Sequence, residues 1–237
     1  MRTNPKKNDT LLKQIFDFFV WGYMKKINFF LATAVSLIAL TSCSPKISVK
    51  ANASGGSDVT FSTGFSDSTA DTLRVISGLP ANSPIFSTDD IKEILTQAGV
   101  QRTVVRTPSP MQIESSGFIP GMSSELSKTN IFSQTARSLS ITLGPKQLKE
   151  IYSRIGTESQ TYFDMMMIPA LLGEDMNVEE YRQLLSAMYG TKFANELVDG
   201  KLSIMLTSPN GKKTTKAEAT LGEILTLKKE KTWSVTW

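Results

Sequence analysis

The sequence predicts an α+β fold: an antiparallel sheet with helices packed on one face and a helical block, residues 145–198, inserted between strands. Three observations carry this expectation. Apolar and polar residues alternate over Ser138–Leu143 and again over Leu202–Thr207, the period of half-buried strands. Between them, from Pro145 to Val198, apolar residues recur at helical spacing, bounded by capping residues and glycines. Beyond them, Ser208-Pro209-Asn210-Gly211 carries the Asn-Gly signal of a hairpin, so the chain ends rich in strands and its helices are segregated from them.

Taken from the N-terminus, the first organised stretch is Met24–Cys43, MKKINFFLATAVSLIALTSC. Lys25 and Lys26 precede an apolar run from Ile27 to Leu40, then come the small residues Thr41 and Ser42 and the only cysteine of the 237 residues. That order is a secretory signal. As a helix the apolar run is about 21 Å long at ~1.5 Å per residue, short of a ~30 Å hydrocarbon layer. Its end, Leu40-Thr41-Ser42-Cys43, resembles a bacterial lipobox. The resemblance implies cleavage between Ser42 and Cys43, with a thioether-linked diacylglycerol and usually an amide-linked third chain on Cys43. Two or more chains anchor stably where one binds reversibly, so the membrane is an expected partner without any spanning helix. Ser44 stands where such lipoproteins often carry an inner-membrane retention aspartate, which points to the outer membrane, facing periplasm or surface. Residues 1–23 read as an extension or a start assigned too early, since Met24-Lys25-Lys26 is already a complete n-region.

Residues 43–57, the lipidated cysteine followed by SPKISVKANASGGS, read as a flexible tether, and residues 58–237 as a single α+β domain. Val59–Ser62 reads as a strand, and Ser68-Thr69-Ala70-Asp71 has capping-box spacing ahead of Leu73 and Ile76. Ser87 as N-cap, Ile91, Ile94, Leu95 and Ala98 on one face, and Gly99 as the stop define a second helix. Arg102–Arg106 and Met111–Glu114 read as strands around a bend at Pro108 and Pro110, and Ser115–Ser133 as a long loop. Gly144-Pro145 opens a helix whose stripe is Leu148, Ile151, Tyr152 and Ile155. Capping boxes at Thr157–Gln160 and Asn177–Glu180 open two more, and Thr191–Val198 makes a short one. Leu221–Leu227 is open between strand and helix, and Trp233, Val235 and Trp237 share one face of a last strand.

Composition excludes several chemistries. Six of the 26 basic and two of the 22 acidic side chains fall in residues 1–43, which leaves twenty of each and no net charge. The basic stripe that a nucleic-acid partner requires is not visible. Lys212, Lys213, Lys216 and Lys228, Lys229, Lys231 read as solvated turn and edge-strand residues. With no histidine, Ser-His-Asp and Cys-His machinery and His-ligated zinc are excluded. Beyond Cys43 the chain has no G-x-S-x-G, Ser-x-x-Lys, Walker A lysine or G-x-G-x-x-G. Asp89, Asp90 and Glu93, and Glu174, Asp175, Glu179 and Glu180, sit at helix starts, where carboxylates complement the helix dipole. No catalytic residue, metal ligand or cofactor is expected.

Tyr162 to Leu172 is the most apolar stretch beyond the signal. Tyr162, Phe163, Met166, Met167, Ala170 and Leu171 fit one buried helical face, with Pro169 kinking or breaking the helix. Met165, Ile168 and Leu172 fall off that face. With Met166 they form a candidate apolar contact surface for lipid, an acyl ligand or a partner helix, since methionines suit adaptable surfaces. The expected function is thus a lipid-anchored envelope protein that binds without catalysis, its partner an envelope protein or a lipid ligand. The alternatives are a lipid or acyl carrier, or a membrane-inserting protein, using the Met-rich helices of residues 158–189, and then a histidine-free hydrolase.

Overall fold

The computed structural model describes residues 43–76, 78–121, 125–154, 164 and 166–237. The signal segment, the capping box at 157–160, Tyr162, Phe163 and Met165 lie outside them. Nine strands are described: β1 (Cys43–Ala51), β2 (Ser57–Gly64), β3 (Gln101–Ser109), β4 (Gln112–Ile119), β5 (Phe132–Gln134), β6 (Ser138–Leu143), β7 (Lys201–Thr207), β8 (Thr214–Thr220) and β9 (Lys231–Thr236). They form a six-stranded sheet of order β3-β4-β2-β1-β7-β8 and a three-stranded sheet of order β5-β6-β9.

β1 overturns the tether. Ile47, Val49 and Ala51 alternate with Lys46, Ser48 and Lys50, and that period of two places β1 in the middle of the large sheet. It pairs antiparallel with β2 and parallel with β7, the one parallel contact among the described strands. Ser54-Gly55-Gly56, which reads as linker, is the turn of the β1–β2 hairpin, where the Asn52 N–H donates to the Gly56 carbonyl at 2.9 Å. Residues 43–57 therefore belong to the domain and are not a tether ahead of it.

The loop expected over Ser115–Ser133 is also corrected. β4 runs on to Ile119, because Ser115 and Gly117 pair with Phe61 and Val59 of β2, and Ser115 is buried there. β5 begins at Phe132. In the small sheet, Leu139, Ile141 and Leu143 of β6 bury the face their alternation predicts, joined by Trp233 and Val235 of β9.

The helices are α1 (Asp67–Ile76), α2 (Thr88–Gln97), α3 (Glu125–Lys128), α4 (Pro145–Arg154), α5 (Pro169–Leu172), α6 (Val178–Tyr189), α7 (Thr191–Asp199) and α8 (Leu221–Leu225). α2 starts at its predicted cap, the Ser87 hydroxyl accepting from the Asp90 N–H at 3.2 Å. Gly99, at φ +79°, lets the Val100 N–H reach back to the Leu95 carbonyl and end it. α6 has its complete capping box on Asn177 and Glu180. α1 starts earlier than its spacing suggests: its cap is Ser66, whose hydroxyl accepts from the Thr69 N–H at 3.3 Å, while Thr69 donates to Glu196 of α7. Pro169 starts α5 as its first residue, after Ile168 in extended conformation. Residues 221–225, open in the sequence, are helical because Thr220 and Glu223 form a capping box.

One apolar cluster runs through both sheets and the helices. Leu202, Ile204 and Leu206 of β7 lie at its centre with Tyr181 and Leu185 of α6 and Phe193, Leu197 and Val198 of α7. Each such side chain contributes roughly 1.5–3 kcal/mol on burial. Gly222 lets α8 pack closely on α6 and α7, since a Cβ there would meet Val198 Cγ1 at 2.6 Å and Val178 Cγ1 at 2.8 Å.

Candidate functional site

The helices leave the other face of the six-stranded sheet open. The pairing registers align its outward residues into rungs that cross every strand. One rung runs Val104, Ser116, Thr60, Ser48, Met205, Lys216, and the next runs Arg106, Glu114, Ser62, Lys46, Ser203, Glu218. Six strands at ~4.8 Å spacing make each rung about 24 Å wide. Apart from Lys46, the central positions carry short hydroxyl side chains while Val104, Arg106, Met205 and Lys216 stand at the flanks, so the face holds a trough of about 720 Å³. A long side chain at Ser48, Thr60, Ser62 or Ser116 would fill it.

Its polarity is mixed. Lys46 stands between Ser62 and Ser203 in its own rung, with Glu114 and Glu218 each two strands away on either side. The Ser203 hydroxyl donates to Glu218 at 3.4 Å. At the far end Arg102 pairs with Asp58 at 3.5 Å and lies 4.5 Å above the Phe118 ring. The surface offers hydroxyl donors and acceptors, one central cation and two flanking carboxylates. Glu114 and Glu218 are four strand spacings, about 19 Å, apart, too far to serve as acid and base on one glycosidic bond.

Cys43 lies three residues before Lys46, at the end of the same strand, where it pairs with Gly64. The trough thus begins about 10 Å along β1 from the candidate lipidation residue. Ser42, on the other side of the expected cleavage point, lies outside the described residues.

The candidate contact surface at 165–172 is redistributed. Ile168 is 1% exposed and Met166 5%, so both are core residues, contrary to the outward place expected for Ile168. The helical spacing fails because the backbone changes direction at Met167, at φ +45°, before α5 begins. Leu172 is 49% exposed, and Met165 lies outside the described residues. Tyr181 of α6 closes the segment by donating to the Met166 carbonyl at 2.9 Å, and burial pushes its hydroxyl well above the usual tyrosine range.

Three of the helix-start carboxylates have structural partners. Glu180 completes the α6 cap, Glu179 pairs with Arg182 at 3.1 Å, and Asp175 pairs with Lys228. Among the described residues no cluster of three or more His, Cys, Asp or Glu is placed to hold a metal ion, and no helix is long and apolar enough to cross a membrane.

Sequence reasoning misses the trough because it assigns β1 to the tether. The signal is there: Lys46-Ile47-Ser48-Val49-Lys50-Ala51 alternates over six residues, and Thr60 and Ser62 alternate with Val59 and Phe61 in the strand beside it. No protein-family model matches the chain, and no curated protein matches it.

Proposed function

We propose that the protein is a lipid-anchored cell-envelope lipoprotein that acts by binding, with the open face of its six-stranded sheet as the binding surface. The trough around Lys46 carries this reading: a broad, open floor of hydroxyl, apolar and mixed-charge groups, with its two carboxylates about 19 Å apart, suits a protein surface better than a reacting bond. Lipobox residues Leu40 to Cys43 supply the address. Because β1 starts at the candidate anchor, the trough is held close to the membrane, at the outer membrane if Ser44 sets the destination. The carrier and membrane-inserting alternative draws on Met165, Met166, Ile168 and Leu172, and it is weakened by the use of Met166 and Ile168 in the core. The partner is an envelope protein that presents a polar face.

The test is site-specific crosslinking in cells. A photoreactive residue at Thr60 should give a discrete envelope-protein adduct that a second change, Ser62→Trp, removes. The same residue at Lys213, in the β7–β8 turn, should not give it. Absence of any adduct from Thr60, in a protein that is folded and in the envelope, would remove the trough from the reading.

A further inference from the structure

We infer that the end of the large sheet where β1 begins is a bilayer-contact surface, led by Val75 and Leu79, so that the domain stands on the membrane in one orientation. This rests on lipidation of Cys43 as proposed above.

The argument starts from the length of chain available. Lys46 is already paired with Ser62 and Ser203, and only Ser44 and Pro45 lie between it and Cys43. The three steps from Cys43 to Lys46 span at most about 10 Å. A domain attached so closely cannot keep that end away from the lipid surface.

The same end holds two adjoining segments. Cys43 pairs with Gly64, and Gly64 with Gln112. The Phe65 N–H donates to the Met111 carbonyl at 2.9 Å, and the Ile85 N–H to the Pro110 carbonyl at 3.0 Å. Phe65 stacks on Phe86 at 5.2 Å between ring centres. Arg74 Nε donates to the Ser83 carbonyl at 3.0 Å, which holds the last turn of α1 beside this group.

These segments lack charge. From Val75 to Thr88 the chain has no ionisable side chain, and neither does Thr107–Ile113 across the β3–β4 turn. Val75 is 81% exposed and Leu79 40%, with exposed Pro80, Ala81, Pro84 and Pro110 around them. Charge stands around these segments, at the start of α1 and its Asp71–Arg74 pair, at Asp89 and Asp90 of α2, at Arg106 and Glu114, and on the β7 side at Lys201 and the Arg182–Asp199 pair. The opposite end of the sheet exposes Lys50, Asp58, Arg102, Lys212 and Lys213. Two uncharged segments with exposed apolar side chains beside a lipid attachment, rimmed by charge, form the patch that a bilayer surface accepts.

The experiment uses the lipidated full chain. With Cys43 acylated, an introduced cysteine is the only free thiol. An environment-sensitive dye is placed in turn at Val75→Cys, Leu79→Cys, Ser54→Cys and Asn210→Cys. The proteins are reconstituted in phosphatidylethanolamine–phosphatidylglycerol vesicles containing brominated lipid. Quenching is expected to be several-fold stronger at residues 75 and 79 than at 54 and 210, which lie in turns at the opposite end. If the protein carries acyl chains and floats with vesicles while residue 79 is no more quenched than residue 54, the orientation is wrong and the anchoring reading stands. A dye at residue 79 shielded by a co-purifying protein instead of lipid overturns it in the same way. A protein without acyl chains that does not float overturns the anchoring reading and this inference together.

Discussion

The Tyr181 hydroxyl donates to the Met166 carbonyl at 2.9 Å, a buried bond that ties α6 to the segment entering α5. Tyr181→Phe keeps the ring and leaves that carbonyl without its donor, so it should cost about 1–3 kcal/mol. Burial raises the hydroxyl's titration, with the nearby Tyr189 adding to it. The neutral form is thus favoured in the folded state. Its contribution should be constant below the unfolded value of about 10 and fall as pH rises above it. Urea midpoints of the wild type and the variant, compared at neutral and alkaline pH, check both statements. Equal midpoints at neutral pH would show that the bond contributes nothing.

Ile168 and Leu172 separate the two readings of the apolar segment. Ile168→Lys introduces a charge into the core and should unfold or aggregate the protein. Leu172→Lys lies on the surface and should change stability by no more than about 0.5 kcal/mol. Soluble yield and thermal midpoint distinguish them. A stable Ile168→Lys variant would return this residue to the surface.

How much is legible follows from which forces act locally. β6, β7, α2 and α6 are readable because their alternation, caps and stops lie within each element, as at Ser87 and Gly99 or Asn177 and Gly190. β1 is not, since its place depends on pairing with β7, far later in the chain, and its serines and the glycines that follow match a linker in composition. β4 beyond Glu114 is hidden likewise, because Ser115, Ser116 and Gly117 are poor strand formers that only the partners Val59, Thr60 and Phe61 hold in register. The trough is lost with β1. For Ile168, helical spacing is carried across a point where Met167 leaves helical geometry.

Arg182 joins α6 to α7 by donating through Nη1 and Nη2 to Asp199, at 3.0 and 2.7 Å, and through Nε to Glu179 at 3.1 Å. The hydrogen bonds from Arg182 hold the Asp199 carboxyl below its usual range against a smaller opposing effect of burial. With the folded value depressed, the pair's contribution is present above the unfolded value of about 3.9 and lost as pH falls through the folded value. Both side chains touch solvent, so the contribution should be under about 1 kcal/mol. Asp199→Asn should therefore lower the urea midpoint slightly at neutral pH, and the difference should vanish well below pH 4. A difference that persists in acid would assign the effect to packing.

Val49 and Ser48 are neighbours on β1 that face opposite ways, and together they test whether this strand belongs to the domain and what its open face does. Val49 is 1% exposed and packs in the core, so Val49→Ala should cost about 2 kcal/mol. A flexible tether would register nothing. Ser48 faces the trough between Thr60 and Met205, where its removal leaves no core void. Ser48→Ala should keep stability within about 0.5 kcal/mol, while Ser48→Trp, which fills the trough, should reduce the adduct formed from Thr60. Measuring urea midpoints and crosslinking yield on the same preparations separates the two faces. If Val49→Ala is neutral, β1 contributes no stability and the trough has no fixed floor. If Ser48→Trp is stable and the Thr60 adduct persists, the strand is part of the fold and the partner binds elsewhere.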